Sequence, residues 1–147
     1  MSILDIFHNG ILIISLFSWL AAQIIKTTIH AIVNKGIDWK RLVGDGGMPS
    51  AHSATVTSLA LSTGLYCGFD STFFAITLVV AIIVMHDALG VRREAGKHAK
   101  ALNEIILYLD QPDPDVALKE FIGHTPLQVF FGALLGILIT VAYHLIW

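Results

Sequence analysis

The sequence predicts an all-α integral membrane protein: a helical bundle of about four transmembrane helices plus an amphipathic cytoplasmic helix. Of the 147 residues, 55% are hydrophobic and only 14% are charged, whereas soluble domains carry about 25% charged residues. The mean hydropathy is +0.73. Four apolar or small-residue stretches approach the roughly 20 residues that cross a bilayer core. The length fits one domain, residues 1–147.

Composition also excludes several classes of function. The net charge is −2 and no basic arm is present, which argues against a nucleic-acid partner. A single cysteine, Cys67, rules out a disulfide framework or a cysteine metal site. The first ten residues lack the basic start of a cleaved signal peptide. We therefore expect the first apolar stretch to stay as a membrane anchor.

The first two predicted helices cover residues 11–33 and 49–67. Lys26 interrupts the first one; it could extend to the lipid headgroups or point at a buried anion, and both alternatives stay open. The second helix begins at Pro49, which suits the first turn of a helix because its missing N–H is no loss there. Small residues four apart predict a face packed against other helices; they are Ala54, Ser58 and Ser62.

The third and last spans cover residues 72–89 and 127–147. Asp87 lies near the end of the third span, where a carboxylate is costly unless it is paired or hydrated. It is either a functional group or a structural partner of Arg92. In the last span, Gly132 and Gly136 predict a close helix–helix contact.

Residues 91–120 form the longest polar segment. Four apolar residues recur there at helical spacing, and predict an amphipathic helix on the membrane or over the bundle; they are Leu102, Ile105, Ile106 and Leu109. Turn-forming residues at 111–115 end it.

Two short motifs carry the chemistry. The first, residues 46–54, reads Gly-Gly-Met-Pro-Ser-Ala-His-Ser-Ala. It places Ser50 and His52 in the first turn of the second helix, where unpaired N–H groups and the helix dipole attract anions. The second motif, Gly-His-Thr-Pro at residues 123–126, places His124 before the last helix. A histidine changes its charge near pH 7 and suits acid–base chemistry.

Charge distribution predicts that the two motifs meet. The basic residues lie in the segments after the first and third spans, and such segments face the cytoplasm. The second and fourth spans then both begin on the cytoplasmic side. His52, His124 and a cluster of Lys and Arg would share one pocket, which suits a phosphomonoester near the headgroups.

These motifs resemble the type 2 phosphatidic acid phosphatase and vanadium haloperoxidase superfamily. Residues 47–53 resemble its Pro-Ser-Gly-His motif, and residues 123–136 its His-x-x-x-Asp segment with the following glycine-rich helix. Asp-Ala-x-Gly-Val-Arg-Arg at residues 87–93 is similar to a motif of the short, divergent branch. The resemblance covers residues 26–136.

The resemblance implies a phosphohydrolase that needs neither metal nor cofactor and forms a phosphohistidine. His124 would be the nucleophile, and His52 the general acid that protonates the leaving alkoxide. The resemblance and the basic segments together give the groups expected to hold phosphate oxygens or neutralise their charge; they are Ser50, Gly47, Thr125, Lys26, Arg41, Arg92 and Arg93.

The sequence departs from the family pattern in three places. Gln128 stands where the family has the aspartate that orients the nucleophile; its oxygen can accept the imidazole N–H but adds no charge, and Asp87 could substitute for it. The Lys-x6-Arg-Pro motif is absent, which leaves Lys26, or Lys35 with Arg41, as candidates. The arginine expected six residues before His124 is replaced by Leu118, with Lys119 beside it, and Arg92 and Arg93 could fill its role from elsewhere. In addition, four spans are fewer than the usual six, so a homodimer could complete the bundle.

Three functions remain open at this point. The first is a lipid-phosphate phosphatase of the cell membrane, acting on a phosphatidylglycerophosphate- or phosphatidate-like headgroup with its motif loops in the cytoplasm. The second is a catalytically degenerate protein that binds anionic lipid headgroups or serves as an assembly subunit. The third is a metal site or proton relay in a small transporter; it would use His52, His86, Asp87 and His124.

Overall fold

The structure is a computed structural model, and it describes residues 3–36, 47–108, 118 and 123–146. The described residues form a helical bundle, which confirms the predicted fold class. After a 3₁₀ segment at Ile3–His8, the helices are α1 (Gly10–Asn34), α2 (Ala51–Cys67), α3 (Thr72–Leu89), α4 (Val91–Tyr108) and α5 (Pro126–Ile146). Predicted and observed helix ends differ by two residues or fewer for the four spans.

Local signals fix these helix ends. The side chains of Asn9, Ser50 and Ser71 each accept a hydrogen bond from the backbone N–H three residues later, as N-cap residues do. α2 therefore begins at Ala51, and the prediction that it begins at Pro49 is corrected. Gly68 follows the last turn of α2, and Gly90 separates α3 from α4.

α2 is the central helix, and it packs against α1, α3 and α5. Its predicted packing face is confirmed, since Ala54, Ser58 and Ser62 are fully buried. Hydroxyl groups on this helix donate to carbonyls one turn earlier; Ser62 Oγ, for example, donates to Ser58 O at 2.6 Å. The polar side chains of α2 are therefore compatible with a position inside a membrane bundle, where every polar group needs a partner.

Close glycine contacts join α5 to α2. A Cβ on Gly132 would collide with the carbonyl oxygen of Ser50, and one on Gly136 would lie 2.5 Å from that of Ala54. The predicted glycine face is thereby confirmed. Because both contacts advance by four residues on each helix, α2 and α5 run side by side in the same direction.

α1 and α3 run opposite to α2. Gly10, at the start of α1, lies against the Tyr66 ring near the end of α2, whereas Ala22 packs with Ala51 and Ala54 at its beginning. On α3, the Met85 sulfur is 4.0 Å from Thr57 Oγ1. The ends of α1 and α3 and the starts of α2 and α5 thus meet at one end of the bundle.

Within the part of the chain that the structure describes, three helical stretches are long and apolar enough to cross a membrane: Gly10–Asn34, Thr72–Tyr108 and Pro126–Ile146. The second of them joins α3 and α4 across Gly90. The fourth predicted span, α2, has 17 residues and packs against α1, α3 and α5. In α4, Gly96 and Ala99 are buried, while Leu102 and Ile105 of the predicted apolar face are about half exposed. Leu109 and the predicted turn at 111–115 lie outside the described residues.

Candidate functional site

The two motif histidines face each other at the end of the bundle where α2 and α5 begin. Their ring centroids are 6.2 Å apart, and the ring planes are inclined by 57°. His52 lies in the first turn of α2 and is half buried, whereas His124 precedes α5 and is only 5% exposed. Both rings belong to one chain, so no second chain is needed to bring them together.

His124 is held from two sides. Its backbone N–H donates to the carbonyl of Ala88 at 3.0 Å, which ties the residue to the end of α3. Its ring atom Nδ1 lies 3.2 Å from Gln128 Oε1, one turn into α5. The segment before α5 is thereby anchored at both its backbone and its side chain.

The contact with Gln128 also determines which ring nitrogen of His124 carries the proton. The backbone N–H of Thr125 donates to the same Oε1 at 3.0 Å, so this atom is the carbonyl oxygen of the carboxamide and can only accept. Nδ1 must then carry the hydrogen. In the neutral ring this leaves the lone pair on Nε2, which is the nitrogen able to attack an electrophile.

Ser50 links the two motifs structurally. It is fully buried, its N–H donates to the carbonyl of Gln128 at 3.0 Å, and its Oγ accepts from Ser53 N and Ser53 Oγ at 3.2 and 3.0 Å. The hydroxyl expected to hold phosphate is thus engaged in the helix cap. The Ser53 N–H is occupied by this cap, whereas those of Ala51 and His52 have no acceptor inside the helix, the arrangement by which a helix start can bind an anion.

Lys26 lies inside the protein, beside the first motif. Its side chain is 5% exposed. A Cβ on Gly47 would come within 2.9 Å of Lys26 Cδ, and Gly47 has a φ of +90° that favours glycine. The buried position beside Gly47 is compatible with the alternative in which Lys26 points at a buried anion.

The start of α4 lies against the second motif. Gly123 (φ +93°) has no room for a side chain, because a Cβ would collide with the backbone of Arg92 and Arg93. Arg92 Nε donates to Asp87 Oδ2 at 2.6 Å, and both side chains are substantially exposed. Asp87 therefore forms the structural ion pair with Arg92, which was one of the two alternatives. Gln128, and not Asp87, contacts the His124 imidazole.

The remaining predicted site residues have these positions. Thr125 is exposed, and its Oγ1 accepts from the N–H of Gln128 at 3.3 Å. Arg93 is exposed. Arg41 lies outside the described residues. Among the described residues, no three His, Cys, Asp or Glu side chains are arranged to hold a metal ion.

Two further residues, Ala88 and Gln23, were not predicted from the sequence. The Ala88 carbonyl anchors His124, and its only sequence signal is its place within the motif at residues 87–93. Gln23 is 5% exposed, and its Oε1 is buried without a hydrogen-bond partner. Gln23 is a polar residue in an apolar span, three positions before Lys26. That spacing places Gln23 and Lys26 on the same face of the helix.

Comparison with known proteins agrees with this description. The profile of the Divergent PAP2 family matches residues 7–139. The chain is 39% identical, over 150 residues, to the uncharacterized membrane protein YuiD of Bacillus subtilis (strain 168), an alignment that covers 93% of this chain and 95% of YuiD. No solved structure matches the chain. With its motifs, its helical membrane fold and this match over most of its length, the chain belongs to the divergent PAP2 family.

Proposed function

We propose that the protein is a membrane phosphatase that hydrolyses a lipid phosphomonoester through a phosphohistidine on His124. The observation that carries the proposal is the facing pair of histidines, with ring centroids 6.2 Å apart. An attacking atom stands about 3–3.5 Å from its target in a reactive complex, and a general acid within about 2.6–3.2 Å of the group that it protonates. The proposal places one phosphoryl group between the two rings, where one imidazole attacks phosphorus and the other protonates the leaving oxygen.

The reaction has two steps. Nε2 of His124 attacks phosphorus and forms a P–N bond, while the P–O bond to the lipid alcohol breaks and protonated His52 gives its proton to the departing alkoxide. Water then attacks the phosphohistidine, neutral His52 accepts a proton from that water, and the P–N electron pair returns to Nε2. The products are the lipid alcohol and inorganic phosphate, and the proton that His52 gives to the alkoxide is replaced by the one that it takes from water.

Charge at the site supports an anionic substrate. The N-terminal turn of α2 offers N–H donors and the positive end of the helix dipole, and the buried Lys26 side chain passes over Gly47 at the same place. Arg92 and Arg93 lie at the start of α4, and their backbone contacts Gly123 of the second motif. These groups would stabilise the negative charge of the phosphoryl group in the transition state.

The proposed substrate is a phosphatidylglycerophosphate- or phosphatidate-like lipid reached from the cytoplasmic leaflet. The segment between α1 and α2 and helix α4 carry most of the basic residues, which favours the cytoplasm for this end of the bundle. A lipid made in the cytoplasm then meets the site without crossing the membrane.

The competing proposal is a degenerate member that binds anionic headgroups without hydrolysing them. One observation favours it: the residue at Nδ1 of His124 is the neutral Gln128, which does not stabilise an imidazolium as a carboxylate does. Binding of lipid phosphates without release of inorganic phosphate would establish this alternative.

Phosphate release by the purified protein tests the proposal. Phosphatidylglycerophosphate, phosphatidic acid and undecaprenyl diphosphate form the substrate panel, and the variants are His124→Asn and His52→Asn. His98→Asn, at an exposed position on α4, is the matched control. We expect both site variants to lose activity by about 10²-fold or more and the control to keep it. Unchanged turnover in both site variants would overturn the mechanism.

The choice of leaving group separates the two histidine roles. p-Nitrophenolate leaves with little need for a proton, so His52→Asn should lose far less activity on p-nitrophenyl phosphate than on an alkyl phosphate. His124→Asn should lose both activities. An acid-labile phosphoprotein formed from labelled substrate by the wild type, and lost in His124→Asn, would identify the nucleophile.

A further inference from the structure

An apolar groove lies on the flank of the bundle between α1 and α5. Its volume is about 220 Å³, and every side chain that lines it is apolar. Six of the lining residues are Ile25, Ile29, Pro49, Phe131, Leu134 and Leu138. Ile29 and Leu138 are 43% and 57% exposed, so the groove opens sideways, towards the lipid that surrounds these two membrane-spanning helices.

The groove is continuous with the histidine site. Met48 and Pro49 line it, and the chain passes directly from them to Ser50 and His52. On α5, Phe131 lies one turn after Gln128, the partner of His124. From there the groove follows α5 as far as Leu138, a distance of about 10 Å at 1.5 Å per residue.

We propose that this groove binds one hydrocarbon chain of the phosphate-bearing lipid, which places the phosphate between His52 and His124. The inference rests on the proposed function, and it adds a chain subsite that governs specificity. A single chain is the occupant because the groove is small, is lined only by apolar side chains and begins beside the proposed phosphate site.

The subsite orients the substrate more than it attracts it. Lipid tails are as apolar as the groove, so a chain gains little on leaving the bilayer for it. Its contribution is to align the chain along α5, with the headgroup held at the motif end, and such alignment accelerates a reaction. For a substrate dissolved in water the groove also provides burial, and this makes chain length a measurable variable.

Water-soluble alkyl monophosphates, from butyl to decyl and below their micelle concentrations, provide the first test. In the wild type, kcat/KM should rise by about fourfold per added methylene until the groove is filled. Leu134→Trp should end this rise at a shorter chain than in the wild type. Ile137→Trp is the control, because Ile137 is a comparably exposed α5 residue outside the lining. Equal chain-length profiles in the two variants would overturn the groove assignment.

Photocrosslinking tests the groove without activity. A lysophosphatidic acid with a diazirine in its chain is irradiated with the whole protein in vesicles, and the adducts are mapped by mass spectrometry. We expect adducts at residues 25–29 and 131–138, reduced several-fold in Leu134→Trp and unchanged in Ile137→Trp. Adducts spread equally over the lipid-facing side of α3 would overturn the proposal. Mapped adducts without phosphate release would support the groove and reject the phosphatase function.

Discussion

The carboxamide oxygen of Gln128 accepts hydrogen bonds from both Nδ1 of His124, at 3.2 Å, and the backbone N–H of Thr125, at 3.0 Å. The second donor fixes the carboxamide orientation, and the carboxamide in turn fixes the imidazole tautomer. Gln128 thus performs the orienting part of the task of a carboxylate but not its electrostatic part. In the proposed mechanism, it is a positioning residue for the nucleophile.

Two substitutions of Gln128 separate its orienting role from the electrostatic role of a carboxylate. Gln128→Leu removes the acceptor, so the His124 ring loses its fixed tautomer, and we expect phosphate release to fall by about 10²-fold. Gln128→Glu keeps an acceptor and adds a negative charge, so its activity should equal or exceed that of the wild type. The measurement is kcat on one lipid phosphate, with thermal unfolding as the check on folding. Equal losses in both variants would show that Gln128 acts only through packing.

Gly132 and Gly136 are expected to be intolerant of a methyl group. An added Cβ meets the Ser50 or Ala54 carbonyl, and backbone cannot move aside as a flexible side chain can. Gly132→Ala and Gly136→Ala should each lower the free energy of unfolding by about 1–3 kcal/mol, measured in detergent micelles.

Gly36→Ala is the control for these two variants, because the nearest atom to its added Cβ is 3.9 Å away. Gly132→Ala should also reduce activity more than Gly136→Ala, since Ser50 leads directly into His52. Stability unaffected in both α5 variants would contradict the parallel packing of α2 and α5.

The bundle was largely predictable, because each span is marked by composition and ended by local signals such as the Ser71 cap and Gly90. The two basic segments predicted that α2 and α5 begin at the same end of the bundle. The proximity of His52 and His124 could be predicted from that arrangement. The contact of Gln128 with the imidazole was harder to predict, since it depends on a rotamer chosen by tertiary packing.

The pairing of Asp87 could be anticipated only as one of two alternatives. Its spacing to Arg92 permits an ion pair, but spacing does not indicate which neighbour a side chain selects. The Ala88 carbonyl that anchors His124 has no side-chain signal at all. Burial of Lys26 was also undetermined, because a long side chain can snorkel or remain inside with the same sequence around it.

Asp87→Asn is expected to have a small effect. Its ion pair with Arg92 is short, at 2.6 Å, but 39% of the Asp87 side chain is exposed, and exposed pairs contribute about 0–1 kcal/mol. Activity should fall less than tenfold, through loosening of the α4 start beside Gly123. Glu94→Gln is the matched control, because Glu94 forms an equally short exposed pair with Lys97. A loss above 10²-fold in Asp87→Asn alone would assign its carboxylate to the chemistry.

Cys67 reports the orientation of the bundle in the membrane. It is exposed and ends α2, about 25 Å from the histidine end at 1.5 Å per residue. If the motifs face the cytoplasm, a membrane-impermeant maleimide should label Cys67 in intact cells. In a Cys67→Ser background, a cysteine placed at the exposed α4 position by His98→Cys should react only after permeabilisation. The reverse pattern would put the histidines outside the cytoplasm, and the substrate would then be a lipid phosphate of the outer leaflet.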